Sequence, residues 1–346
     1  MNSASTSPTR RPTLARRIAR TLLLLVMLLV VLGAAAVGAA AWRESGSRTV
    51  LAPSTGRFVQ AGDVELFIQE AGPAAGDVVV LIHGTGAWSE IWRTTMERLA
   101  AGGFRAVAVD MPPFGFSERP ASADYTTAVQ GERIVALLQA LDARRVTLVG
   151  HSFGARATVE AAMRAPDRLR GLVLVDAALG LHDASGATLA EPDDTGPGIV
   201  SAVLGVGPVR RPLVAGALTN PMMTRTLLRQ LISRKDSATT ARVTMLQRPL
   251  ALSGSTTALG RWLQWFVRPD RPPLSGSAAS YSSIAVPTLV VWGAADSLTP
   301  LPQGLAISRL LPNSRLQVLD GTGHIPAIED PAAFNEALLG FLRGNR

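Results

Sequence analysis

A serine flanked by glycines is the sharpest chemical feature of the sequence. The segment Gly150-His151-Ser152-Phe153-Gly154 directly follows a predicted strand, VTLV, and opens a predicted helix, ARATVEAAMR. A strand that turns at once into a helix crowds the backbone, so glycine is needed on both sides of the turn. Such a turn exposes the hydroxyl of Ser152 at the carboxyl end of the strand, where it can act as a nucleophile.

With a strand before it and a helix after it, this segment resembles the nucleophile turn of the α/β-hydrolase superfamily. The resemblance extends over residues 58–342 and implies a serine hydrolase, esterase- or lipase-like, with a helical cap. In that family an acid and then a histidine follow the serine along the chain. Asp296 lies in VVWGAADSLTP and His324 in GTGHIPAIEDP, each just past a predicted strand. The resemblance therefore implies a catalytic triad of Ser152, Asp296 and His324.

The chemistry requires these residue types. A neutral imidazole must take the serine proton and later return it to the leaving group, while a carboxylate fixes the ring and stabilises its charged form. Of the other histidines, His83 adjoins the first loop and His151 sits inside the serine turn, so His182 is the rival base. Asp176, which ends the predicted strand GLVLVD, is the rival acid. Asp110, in VDMPPFGFSERP, is interpreted as a structural turn residue.

The developing negative charge on the substrate oxygen needs hydrogen-bond donors already in place. By analogy with the family, the donors are the backbone N–H of Phe153 and that of Thr85, in the loop His83-Gly84-Thr85-Gly86. An apolar substrate pocket between core and cap is expected to be lined by aromatic residues, with Trp88, Phe114, Trp262 and Trp265 as the first candidates. Further candidates are Trp92, Phe116, Met222 and Met223.

The reaction class follows from the serine. Relatives of this fold that cleave haloalkanes or epoxides attack with an aspartate at this position, so acyl transfer to water through an acyl-enzyme is expected instead. A carboxylic ester of a lipophilic small molecule is the favoured substrate. Carbon–carbon bond hydrolases of the meta-cleavage type, perhydrolases and amidases share the same triad and stay open as alternatives. A non-catalytic ligand-binding protein of this fold is the contrasting hypothesis.

Short apolar runs alternate with amphipathic ones through most of the chain. Strands are predicted at 64–69, 78–83, 104–110, 146–150, 172–175, 289–292 and 316–319, and helices at 91–101, 128–141, 154–165, 303–311 and 332–342. Strands that are apolar on both faces and alternate with helices predict an α/β fold, a mostly parallel sheet covered on both sides.

The alternation stops in the middle of the chain. Residues 181–283 contain no strong strand candidate but are rich in leucine, methionine and tryptophan, with a helical run at 224–233. This predicts a helical cap inserted into a hydrolase core formed by residues 58–180 and 284–346. Residues 44–57 are predicted to be a polar linker.

The first 43 residues are predicted to be a membrane anchor or signal segment. They carry six arginines and no acid, and 20 uncharged residues run from Leu22 to Ala41, enough for a helix of about 30 Å. The excess of arginine before this run predicts a cytoplasmic N-terminus and a catalytic domain on the opposite side of the membrane. A cleaved signal peptide, which would release the protein, is the first alternative, and a buried soluble helix the second.

Composition excludes several other functions. The net charge of +8 comes mostly from the first 43 residues, which contribute +6, so the body gives no reason to expect nucleic-acid binding. The absence of cysteine excludes disulfides, thiolate metal sites and a cysteine nucleophile. Zinc, dinucleotide and phosphate-loop motifs are missing, so neither a metal nor a cofactor is expected.

Overall fold

A computed structural model of the chain describes residues 14–181, 205–267 and 273–345. Its centre is a sheet of eight strands in the order β1-β2-β4-β3-β5-β6-β7-β8. The strands are β1 Gly56–Ala61, β2 Val64–Ala71, β3 Asp77–Ile82, β4 Phe104–Val109, β5 Val146–His151, β6 Leu169–Val175, β7 Thr288–Gly293 and β8 Ser314–Leu319. β2 is antiparallel to β1 and β4, and the pairs from β4 to β8 are parallel.

Helices cover both faces of the sheet. The helices are α1 Leu14–Arg43, α2 Arg48–Leu51, α3 Arg93–Ala101, α4 Thr127–Ala140, α5 Gly154–Arg164, α6 Gly207–Leu213, α7 Pro221–Leu231, α8 Thr240–Gln247, α9 Ser255–Val267, α10 Leu301–Leu310, α11 Pro326–Glu329 and α12 Pro331–Gly344. In β3, Val79 and Leu81 pack with α3 and α12 on one face, whereas Val80 and Ile82 pack with α4, α5 and α10 on the other. Burial on both faces explains why the central strands are continuously apolar.

Between β6 and β7 the described chain is helical, as expected for a cap, and contains α6 to α9. Its last part departs from the expected boundary at residue 283. The backbone N–H of Ser275 donates to Glu160 of α5 at 2.9 Å, and the Tyr281 hydroxyl donates to the Ser275 carbonyl at 2.9 Å inside the core. Residues 273–283 therefore pack with the hydrolase core.

The predicted linker is ordered and bonded to the rest of the protein. β1 occupies its end, where the sequence predicts no strand, because Gly56 opens a hairpin ladder with β2. Nearer its start, Gly46 pairs with Leu252 of the cap in a parallel bridge. The polar composition of residues 44–57 therefore does not mean that the segment lacks contacts with the rest of the protein.

The apolar N-terminal helix is a separate feature. Arg16–Arg43 of α1 is the one helix of the described chain that is long and apolar enough to cross a membrane. Residues 22–32 are all exposed, so this stretch is not a core helix of the body. The second half of α1 contacts the cap, at α6 and the helical turn that follows it.

Candidate active site

The turn after β5 holds Ser152 in a strained conformation. Its φ is +53°, in the left-handed region that side chains other than glycine rarely occupy. A Cβ on Gly150 would overlap Thr158, and one on Gly154 would overlap the carbonyl of His83. Both glycines of the motif are thus required by close packing, as the sequence predicts.

The three expected triad residues meet at the carboxyl end of the sheet. His324 Nε2 lies 2.7 Å from the Ser152 hydroxyl, and His324 Nδ1 lies 2.8 Å from Asp296 Oδ2. All three side chains are buried. The order of contacts, hydroxyl to imidazole to carboxylate, is the one that lets the ring accept the serine proton. His182, the rival base, lies outside the described residues.

Asp296 is held in its charged form. Burial by itself raises the pKa of Asp296, but hydrogen bonds from His324 and Thr299 outweigh it, and the pKa stays below the ordinary value. The Thr299 hydroxyl donates to Oδ2 at 2.5 Å, and the backbone N–H groups of Leu298 and Thr299 donate to Oδ1 at 2.8 and 3.0 Å. A carboxylate with this many donors is a suitable partner for an imidazolium.

Asp176, the rival acid, is placed differently. Its Oδ1 accepts the backbone N–H of Gly293 at 2.9 Å. Burial raises the pKa of Asp176 well above its ordinary value, and the neighbouring Asp296 carboxylate raises it further. His324 Nδ1 contacts Asp296 at 2.8 Å, whereas Asp176 accepts a backbone N–H, so the geometry assigns the acid position to Asp296.

Two further side chains hold the histidine loop, and the sequence gives no sign of either role. His151 Nε2 donates to the His324 carbonyl at 2.7 Å. Glu329, in α11, accepts the backbone N–H groups of Gly323 and Ile325 at 3.0 and 3.1 Å, one on each side of His324. Because each contact joins residues distant in sequence or uses backbone groups, motif spacing cannot reveal them.

The loop with the expected oxyanion donors lies against the serine turn. A Cβ on Gly84 would lie 2.9 Å from that of Ser152, so only glycine lets the loop come this close. The His83 ring holds the loop in place through two hydrogen bonds. Its Nδ1 donates to the Gly84 carbonyl at 2.8 Å, and its Nε2 accepts the Met111 N–H at 2.9 Å. Burial lowers the pKa of His83 to about 4, which keeps this neutral tautomer at physiological pH. Thr85 follows Gly84 and is exposed.

Asp110 is a structural turn residue, as the sequence predicts. Its two carboxylate oxygens accept the backbone N–H groups of Ser89 and Phe116 at 2.6 and 2.7 Å. These bonds join the loop after β4 to the one that follows β3, beneath the serine turn.

A cavity of about 280 Å³ lies between the core and the cap. It extends from Thr85, one of the expected oxyanion donors, to Ile325, the residue after His324, and its other walls come largely from α7 and α9. Among the described residues that line it, Arg119 is the one charged side chain. The cavity is suited to an apolar substrate that carries at most one anionic group.

Of the aromatic residues expected in the pocket, Trp88, Phe114 and Trp262 line this cavity. Trp265 does not: its Nε1 donates to the Ala123 carbonyl at 2.7 Å, and its ring packs against the cluster that contains Tyr125 and Trp262. The further candidates also lie outside the cavity wall: Trp92, Phe116, Met222 and Met223. Trp92 and Phe116 are core residues, and Met222 is exposed. Helical spacing indicates an apolar face but not which cavity the face meets.

A metal site has little support in the described part of the chain. The one buried group of carboxylates and histidine with ligand atoms within 4.8 Å of one another is Asp176, Asp296 and His324. Its members are already engaged with the serine turn or with backbone groups. The expectation of a cofactor-free protein stays a prediction.

Comparison with known proteins agrees with this geometry. Residues 77–331 match the family model of the alpha/beta hydrolase fold. A 2-hydroxy-6-oxo-2,4-heptadienoate hydrolase of Pseudomonas putida is 31% identical over 83% of this chain and 96% of its own length. A 2-hydroxymuconate semialdehyde hydrolase of a Pseudomonas species is 30% identical over 84% and 94%. The crystal structure of a membrane phospholipase A is 25% identical, with a TM-score of 0.67, and covers 95% of this chain and 99% of its own.

The family match covers most of the chain, and the relatives align over nearly their whole length. The sheet order, the strained serine and its two partners are those that the fold requires. The chain therefore belongs to the alpha/beta hydrolase fold family and is a hydrolase that acts on a small-molecule substrate.

Proposed function

We propose that this hydrolase cleaves a carbon–carbon bond next to a ketone, in a substrate of the 2-hydroxy-6-oxodienoate type. The observation that carries the proposal is the similarity to two relatives named for such substrates, which align over 94–96% of their length. A 2-hydroxy-6-oxo-2,4-heptadienoate has no ester or amide, so its hydrolysis must break a carbon–carbon bond. The relatives therefore favour this reaction over the ester cleavage that the sequence favours.

The triad provides the groups for this reaction. The Ser152 hydroxyl adds to the ketone carbon while His324 Nε2 takes its proton, and the N–H groups of Thr85 and Phe153 receive the oxyanion. The bond to the dienoate carbon then breaks, and that carbon leaves with the electron pair and takes the proton back from His324. Water, deprotonated by His324, hydrolyses the acyl ester on Ser152 and regenerates the hydroxyl.

Arg119 is the candidate to bind the substrate carboxylate. Its Nη1 donates to the Ser253 carbonyl at 2.6 Å and its Nη2 to the Ser255 hydroxyl at 2.7 Å, so these partners are neutral oxygens. Burial lowers the pKa of Arg119, yet a guanidinium stays charged at any physiological pH. A positive charge at the wall of an apolar cavity attracts a carboxylate more strongly than it would in water.

A lipophilic ester is the second candidate, and the N-terminal helix favours it. Residues 44–346 make up about 88% of the chain, so the 95% shared with the membrane phospholipase A includes part of α1. An apolar cavity beside a membrane helix suits an acyl chain. We propose in either case that α1 anchors the protein with the catalytic domain on the non-cytoplasmic side, in accord with its preceding arginines.

Parallel assays of the full-length protein in detergent separate the two substrates. We expect turnover of a 2-hydroxy-6-oxodienoate that is lost in Ser152→Ala. Arg119→Gln should raise KM for this anion at least about tenfold, the effect of one charged contact, and leave KM for a neutral p-nitrophenyl ester unchanged. Arg119→Lys keeps the charge, so its KM for the anion should lie between the values of the wild type and of Arg119→Gln.

Other outcomes decide against the first candidate. Turnover of long-chain esters alone, equally sensitive to Ser152→Ala, would assign the lipophilic ester as substrate. A folded protein that turns over neither substrate would contradict both assignments. For the anchor, release of the intact body from membranes by carbonate would show that α1 does not span the bilayer, and a mature N-terminus near residue 42 would show signal cleavage.

A further inference from the structure

The end of α1 packs against the cap along one face. Gly33, Ala36, Val37 and Ala40 are partly or fully buried, and they are spaced as one stripe of a helix. A Cβ on Gly33 would lie 3.0 Å from that of Pro212 in α6. The second half of α1 therefore runs beside α6.

Polar contacts fix the position of α1 along its own axis, relative to the cap. Arg43 donates to the carbonyl of Thr219 at 2.9 Å, just after the helical turn Val214–Leu218. The Glu44 carboxylate accepts the backbone N–H of Thr256 at 3.1 Å, at the start of α9. The Gly46 N–H donates to the Ala251 carbonyl at 3.1 Å. These bonds prevent α1 from sliding along the protein.

The free part of α1 is too short to cross a bilayer alone. Arg20 is the last charged residue before the apolar run, and Gly33 follows 13 residues later. At 1.5 Å per residue this distance is about 20 Å, whereas the hydrocarbon core is about 30 Å thick. With Arg20 at the cytoplasmic interface, the cap meets α1 about 10 Å below the opposite interface, and tilting the helix would place the cap deeper.

One face of the cap at this level is apolar. Val206, Val209 and Leu213 are spaced as one face of α6 and its N-cap, and their side chains are 49%, 43% and 47% exposed. We name these three residues the α6 apolar face. The adjoining Arg211 is exposed and long enough to reach the headgroup region.

We propose that the α6 apolar face lies among the acyl chains of the non-cytoplasmic leaflet. This inference rests on the membrane anchoring proposed above, but on neither substrate. The turn Val214–Leu218 lies between α1 and the cavity: a Cβ on Gly216 would lie 3.9 Å from that of Ala36, and Leu218 lines the cavity. One helical turn thus separates the substrate cavity from the proposed membrane helix, and the substrate class that this placement favours is one that partitions into the bilayer.

Site-directed fluorescence tests the depth of this face, because the chain has no cysteine of its own. Val209→Cys, labelled with a small polarity-sensitive fluorophore, is reconstituted as the full-length protein in phosphatidylcholine vesicles with or without an acyl-chain doxyl quencher. Leu25→Cys, within the apolar span, is the control for anchoring. Leu305→Cys, on α10 and 40% exposed, is the matched control for an apolar surface residue remote from α1.

We expect the labels at 209 and 25 to be quenched by the doxyl lipid and shielded from aqueous iodide, and the label at 305 to show the reverse. Iodide quenching at 209 with lipid quenching at 25 overturns the inference while the anchor stands. Shielding at 209 from both quenchers also overturns it, since protein, such as a second copy of the chain, then covers the face. Absence of lipid quenching at 25 overturns both the inference and the anchor. Turnover by the labelled proteins reports the proposed chemistry separately.

Discussion

The ring of His151 holds the backbone of the base, His324. Nε2 of His151 lies 2.7 Å from the His324 carbonyl oxygen, and the two ring centroids are 5.2 Å apart. Burial lowers the pKa of His151 to about 3, so the ring stays neutral and can donate this bond throughout the physiological range. The residue before the nucleophile therefore positions the residue that deprotonates it.

Loss of this bond should impair catalysis more than binding. His151→Leu removes the donor, and we expect kcat to fall about 10- to 100-fold with little change in KM, because small displacements of a catalytic group cost this much. His151→Gln can place an amide N–H near the same point and should restore most of the activity. If Leu and Gln variants lose activity equally, the contact is a packing feature and not a positioning bond.

The two buried aspartates should differ sharply in their effect on turnover. Asp296→Asn keeps the shape but removes the charge that supports the imidazolium, and kcat should fall by about 10⁴, as in other triads. Asp176→Asn keeps an oxygen that can accept the Gly293 N–H and leaves the contact of His324 with Asp296 in place, so kcat should change by less than about tenfold. Steady-state kinetics of both variants provides the measurement, and the reverse ranking would assign the acid to Asp176.

Much of the site could be predicted because it depends on local patterns. The turn at Ser152 is fixed by a strand, a helix and two glycines within a few residues, and the order of Asp296 and His324 follows from the family. The contact of His151 with His324 could not be predicted, because 173 residues separate them. The same holds for the position of Trp265 outside the cavity wall: its spacing indicates an apolar face, and only the packing of the cap decides which residues that face contacts.

The close approach of the oxyanion loop makes Gly84 sensitive to any side chain. In Gly84→Ala the new methyl would lie 2.9 Å from the Ser152 Cβ and 2.8 Å from His151 Nδ1, so the loop must move away. We expect activity to fall at least about 100-fold in a protein that still folds. Gly340→Ala is the matched control: it lies on α12 with open space around it and should be neutral or stabilising by up to about 1 kcal/mol. Wild-type activity in Gly84→Ala would show that the loop adapts without cost.

Buried His83 should make stability depend on pH. Its pKa is about 4 in the folded protein against 6.5 ordinarily, so below pH 6.5 the unfolded chain binds a proton that the folded protein does not. The stability contributed by the neutral ring is complete above about pH 6.5 and decreases by about 3 kcal/mol as the pH falls to 4. His83→Gln should unfold with a shallower dependence on pH between 6.5 and 4, measured by tryptophan fluorescence in urea. Parallel curves for the two proteins would refute this assignment.

The central claim is that Ser152 is a nucleophile activated by His324, and labelling with a fluorophosphonate probe tests it most directly. The probe forms a covalent adduct only with an activated serine. We predict stoichiometric labelling of the wild type at Ser152, none in Ser152→Ala, and labelling slowed at least about a thousandfold in His324→Ala. A folded wild-type protein that never labels, or one that labels equally well without His324, would contradict the account.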